Sequence, residues 1–185
     1  MKMTALASIL VGTVIAILSV IAAEVAAQDF QPDVWNSGTD NAGAPFLVYP
    51  HQEAQVMVLF GYEKSKDCSD VKLVVSNIFE DFPLDGAVVE GVFGFPASEQ
   101  EAPMPPVEAE IIRRDGSLFI TSLYTPTDKF YRALFNAETI SWRDQSFPAD
   151  YNALIPMLGF NDMFNQMITS CLDTTSEAPS TGDPV

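Results

Sequence analysis

Between residues 46 and 124 the apolar residues come in short runs rich in Val, Ile, Phe and Tyr, each closed by Pro, Gly or a group of acids. After residue 124 the spacing changes to that of helices. Such a chain must fold as strands first and helices later, so the helices have an antiparallel sheet to cover. Residues 46–49 read as a strand stopped by Pro50. Residues 54–62 and 71–79 form the arms of a hairpin with Cys68 near its turn. Residues 87–95 read as a strand in which Gly91 and Gly94 mark bends or a close approach of another backbone. Residues 96–106 hold four prolines and read as an exposed loop. Residues 107–113 and 118–124 flank Asp115-Gly116, a hairpin turn signal.

Thr125-Pro126-Thr127-Asp128 has the chemistry of a helix start: a hydroxyl cap, then Pro and an acid. Phe130, Tyr131, Leu134 and Phe135 follow at helical spacing, and residues 139–143 return to a strand. Phe160, Met163, Phe164, Met167, Ile168 and Cys171 form one stripe of a closing helix, with Gly159 before it and Asn161 and Asp162 as capping candidates. The expected fold is α+β: an antiparallel sheet of six or seven strands with a short helix and an amphipathic C-terminal helix on one face. A β-sandwich with a terminal helix is the alternative. Residues 28–45 read as an irregular lead-in, 46–172 as a single domain and 173–185 as a disordered tail.

Ahead of this domain stand twenty uncharged, mostly apolar residues, 4–23, behind Lys2 and before Glu24. A charged start, an apolar stretch and small residues at its end are the parts of an export signal, with Ala27 ending the segment 1–27. A helix of that length rises about 30 Å, enough to cross a bilayer core, so an uncleaved anchor through residues 4–23 is the second reading. Both place the domain outside the cytoplasm, periplasmic or secreted if the signal is cleaved and anchored in the inner membrane if it is not. The 158 residues after position 27 keep the net charge at −16, because Lys2 and Glu24 leave together. Nucleic acid and anionic membrane surfaces both need Lys or Arg against phosphate, so neither is an expected partner. Cys68 and Cys171 are the two cysteines. In an oxidising compartment an even pair reads as a disulfide, with two buried thiols as the alternative.

A catalytic set is not legible. His51 is the one histidine, beside Pro50 at a strand end and without a serine-nucleophile motif, so no catalytic residue, metal ligand or cofactor is expected. Asp33, Asn36, Asp40 and Asn41 lack the order of a calcium loop. Paired carboxylates could serve a glycoside hydrolase, but twenty-four acids after position 27 make some pair inevitable; Glu108 and Glu110, two apart on one face of an expected strand, read as a solvated strand face. Tyr49, Tyr62, Trp142 and Phe147 lie at strand ends or turns and are the candidates for a surface groove, against core packing as the plainer reading.

The stretch from Asp128 to Cys171, DKFYRALFNAETISWR and then MLGFNDMFNQMITSC, resembles the close of several small exported bacterial domains, among them accessory proteins associated with type VI secretion. The resemblance implies a bacterial exported protein whose Gly-led terminal helix ends on a cysteine bonded to one upstream, here Cys68. The expected function is therefore a non-enzymatic exported domain that binds a protein or envelope component. A carboxylate-dependent hydrolase and a cation-binding module are the alternatives.

Overall fold

The computed structural model describes residues 30–41, 43–62, 68, 70–79, 88–96, 100–114, 117–145 and 152–176. Residues 1–27, where an export signal was expected, Phe147 and residues 177–185 lie outside the described residues. Twelve strands are described: β1 (Asn36–Thr39), β2 (Pro45–His51), β3 (Val56–Tyr62), β4 (Val71–Phe79), β5 (Val88–Val89), β6 (Gly91–Phe95), β7 (Gln100–Pro103), β8 (Val107–Glu108), β9 (Glu110–Arg114), β10 (Ser117–Tyr124), β11 (Thr139–Asp144) and β12 (Ala153–Pro156). Two helices accompany them, α1 (Asp128–Phe135) and α2 (Phe160–Ser176).

The fold is α+β with antiparallel pairing throughout the described strands. The strands divide between two sheets and a ribbon instead of forming one sheet. The large sheet runs β1-β2-β3-β4-β10-β9, the small sheet β12-β11-β6-β7, and β5 pairs with β8 alone. Hairpins β3–β4 and β9–β10 are where the sequence placed them. In the large sheet Leu47, Phe60, Leu73 and Tyr124 stand side by side across four strands and face inward. One residue along, Val48, Leu59, Val74 and Leu123 form the matching row on the reverse face, as the period of two requires.

The main core lies on the inward face. It joins Leu47, Val58, Phe60 and Leu73 of the large sheet to Phe93, Ile140, Trp142 and Ile155 of the small one, with Phe130, Leu134, Phe160 and Phe164 from the helices. Each of these large side chains contributes ~1.5–3 kcal/mol on burial. A second apolar cluster, Phe46, Val48, Met57, Leu59 and Val74, occupies the reverse face of the large sheet with Phe30 and Leu123 packed against it.

Several boundaries differ from expectation, each for a physical reason. The run 87–95 is two strands, because the chain leaves the ribbon at Glu90 and joins the small sheet at Gly91. A Cβ on Gly91 would stand 1.7 Å from the Trp142 ring, so the close approach that the glycine signalled is by a side chain. The run 107–113 breaks in the same way at Ala109, between the ribbon and the large sheet. Three short strands appear where loops or nothing were expected: β1 inside the lead-in, β7 inside the proline-rich stretch, and β12. All three are edge strands. In β7, Met104 N–H donates to Gly91 O, and the alternation of antiparallel bonds leaves Pro103 turned to the free side, where its missing N–H costs nothing. Finally, α2 continues to Ser176, four residues into the expected tail.

Cys68 and Cys171 form a disulfide with Cα atoms 5.9 Å apart, closing a separation of 103 residues. It ties the β3–β4 connection to the far part of α2, whose Phe160, Phe164, Met167 and Cys171 are all buried.

Candidate functional site: a cationic trough beside the short helix

The three described candidates for an aromatic surface groove are core residues. Tyr49 is 3% exposed and packs on Trp35 with ring centroids 5.3 Å apart. Tyr62 is also 3% exposed, and burial pushes its phenol up to about 12. Trp142 is fully buried between Phe93 at 4.8 Å and Tyr124 at 5.9 Å. Their place near strand ends was a poor guide, because the face each occupies decides burial and all three point inward. Burial likewise raises the phenols of Tyr49, Tyr124 and Tyr131, with Asp33 adding to the first and Asp144 to the second. Phe147 lies outside the described residues.

The other polar candidates serve local structure. The Nδ1 atom of His51 accepts from Ala54 N–H at 3.1 Å and lies 3.9 Å from Asp33 Oδ1. Asp33 Oδ1 accepts from Gln52 N–H, Asp40 Oδ1 accepts from Ala44 N–H, and the Asn36 amide donates to Gln31 O and Val34 O. All but the Asp33–Gln52 bond, which spans 19 residues, are local turn bonds. Glu108 and Glu110 do not share a strand: the first belongs to the ribbon and the second to the large sheet. Among the described residues no group of three His, Cys, Asp or Glu side chains is placed to hold a metal ion.

What the fold does build is a trough along α1. Thr127 caps this helix, its Oγ1 accepting from Phe130 N–H at 3.3 Å; the cap is Thr127 and not Thr125. Phe130 and Leu134, four residues apart, enter the core, where Phe130 meets Phe93 at 5.4 Å and Phe95 at 6.1 Å. Tyr131 and Phe135 turn toward α2 and contact Phe164 at 6.0 and 5.2 Å. Two faces are thereby used, and the third carries Lys129, Arg132, Ala133 and Asn136. With Phe95, Gln100 and Ala137 they line a concavity of about 310 Å³ against β6 and β7. Asn136 donates through Nδ2 to Arg132 O at 2.7 Å, fixing the helix end at this wall.

Ala137 also lines a second concavity of about 560 Å³, so the two basins are neighbours that share this residue. The second is bounded by Glu138, Met157, Leu158, Asn161 and Asp162. Its floor depends on the turn into α2, where Gly159 has φ +79°, a left-handed conformation suited to glycine. Asn161 does not cap α2; its Nδ2 donates to Phe135 O at 3.0 Å and joins the two helix termini. Leu158 projects from the rim and is 92% exposed.

The charges of the trough are the unusual part. Lys72 pairs with Asp70 at 2.7 Å and Arg143 with Glu101 at 3.1 Å. Lys129 and Arg132 are exposed, one helical turn apart, and neither pairs with a described carboxylate within 4 Å. In a chain of net charge −16, two such cations on one wall form a local field opposite to that of the whole surface. Glu138 and Asp162 give the second basin the other sign. The sequence carried a signal for this: in DKFYRALF the cations fall off the apolar stripe at a spacing of three. Their exposure to a concave wall became legible only once the helix faces were assigned. No protein-family model, curated protein or solved structure matches the chain.

Proposed function

We propose that this chain is an exported, non-enzymatic binding domain that engages another protein or an envelope component through the trough beside α1. The observation that carries the proposal is the pair of cations, Lys129 and Arg132, that meet no described carboxylate on the wall of a concave site in an otherwise strongly acidic protein. Lys129 and Arg132 meet no described carboxylate within 4 Å, and both stand on the wall of one concavity, where they are available for a ligand. The disulfide is compatible with an oxidising compartment outside the cytoplasm, and the charged start and apolar run of residues 1–27 supply the export route. An accessory role beside a secretion apparatus, implied by the resemblance of the C-terminal part, is one setting for such a domain.

The test is affinity capture from envelope extract with the wild-type domain and with the Lys129→Glu/Arg132→Glu variant, both verified by circular dichroism and by an intact disulfide. The expected result is a partner retained by the first and lost by the second. Identical capture by both would remove the trough as the binding site.

A further inference from the structure

We infer that the occupant of the trough is an extended peptide segment of a partner protein, with carboxylates at one end and an apolar residue about four positions along. This deepens the binding-domain reading and rests on it. The first basin supplies Lys129 and Arg132, with guanidinium and ammonium donors suited to carboxylates. Its apolar lining from Phe95, Ala133 and Ala137 accommodates the stem of an acidic side chain. The second basin carries Glu138 and Asp162, which repel a continuing run of acids, and the exposed Leu158 side chain, which offers apolar contact. The occupant must therefore change character along its length.

Dimensions agree with a short segment. From Lys129 to Phe135 the rise along α1 is about 9 Å, which an extended chain covers in about three residues at ~3.3 Å each, and the second basin begins two residues on, at Ala137. A nucleic acid or other uniform polyanion fits badly, since half of the trough is acidic and the whole surface opposes its approach. A small free anion fails for a different reason. Exposed ion pairs are individually weak, and a free anion leaves the apolar contacts of Ala137 and Leu158 unused. Strand addition to the neighbouring edge is also disfavoured. Pro103 removes a donor from the free side of β7, and Glu101 is paired with Arg143. The segment is held by side chains in the trough and not by ladder bonds.

The experiment is selection from a short random-peptide library on the wild-type domain, with the Lys129→Glu/Arg132→Glu variant as counter-selection. The best peptide, an inorganic phosphate control and a Glu138→Lys variant then enter anisotropy titrations at two ionic strengths. We expect selected peptides with Asp or Glu at one end and a Leu-like residue about four positions on. Their binding should weaken about tenfold or more in the double variant, as expected for two exposed charge contacts, and weaken with salt. Glu138→Lys should shift the preference toward acids along the whole segment. The inference is overturned by enriched peptides without carboxylates, by phosphate competing as well as peptide, or by no enrichment over the double variant. If envelope capture still depends on Lys129 and Arg132 while the selected peptides lack acids, the binding domain stands and only the assigned occupant falls.

Discussion

Replacing Gly91 with Ala tests whether the approach of the small sheet to Trp142 is as tight as the geometry requires. A Cβ at this position would lie 1.7, 2.4 and 2.7 Å from three carbons of the Trp142 six-membered ring. Carbon atoms pack at about 3.5–4.0 Å, so either the ring or the β6 backbone must move by about 2 Å. The ring has no free volume to use, being fully buried against Phe93 and Tyr124. The β6 backbone is held to β11 by the register Trp142↔Phe93 and Asp144↔Gly91. Overpacking of a filled core costs about 1–3 kcal/mol, and the size of this overlap puts Gly91→Ala near ~3 kcal/mol. For a domain of this size that lowers the melting temperature by about 6–12 °C. The decisive measurement is a double-mutant cycle by urea unfolding. Trp142→Phe removes the outer ring carbons and costs about 2 kcal/mol alone through the cavity it leaves. In its presence the added methyl has room, so the double variant should be more stable than the sum of the two losses by about 1–3 kcal/mol. Strict additivity, or a Gly91→Ala loss below about 0.5 kcal/mol, would refute the claim that this contact sets the spacing at β6.

Three further outcomes follow from named contacts. Converting Cys68 and Cys171 together to Ala opens a loop of 103 residues, which the chain-entropy model values at ~4.7 kcal/mol; urea unfolding should show most of that loss, and a change under about 1 kcal/mol would mean that α2 docks unaided. Tyr49, Tyr62, Tyr124 and Tyr131 all have phenols raised above the usual 10, Tyr62 to about 12. The unfolded chain therefore ionises first, so stability is intact below pH 10 and falls as the pH rises from 10 towards 12. Phenolate absorbance should grow together with loss of near-ultraviolet dichroism, and ionisation of all four with the dichroism intact would contradict their burial. Thr127→Ala removes the acceptor for Phe130 N–H and should cost about 1 kcal/mol by thermal unfolding; no change would show that the cap is dispensable.

Much of the architecture was legible because burial and periodicity agree along the longer elements. The arms of β3–β4, the β9–β10 hairpin and both helices carry apolar residues at the spacing of their own geometry, and the disulfide was legible from an even pair of cysteines. What escaped was short or ended in a turn of plane. β1 is Asn-Ser-Gly-Thr, β7 ends on Pro103, and β12 has four residues; such edges are held by one neighbour and need no apolar pattern of their own. The passages between sheets at Glu90 and Ala109 take one residue each, too short to leave a loop signal in the sequence. The site was harder to read. Tyr49, Tyr62 and Trp142 looked peripheral by position along the chain, yet register turned them inward. Lys129 and Arg132 were an ordinary pair of helical charges until Phe130 and Leu134, then Tyr131 and Phe135, had taken two of the three faces of α1.

The bond between Cys68 and Cys171 also orders events in time. During synthesis Cys68 emerges 103 residues before the residue it will join, an interval of roughly 5–20 s at ~5–20 residues per second. For most of that interval, once Phe79 has been added, the β3–β4 hairpin has both of its arms while its thiol has no native partner within the chain. Its correct partner arrives on the last described element, after every strand. A closed bridge is thus a marker that every described strand has been made, and a chain truncated between β4 and α2 would display an unpaired thiol.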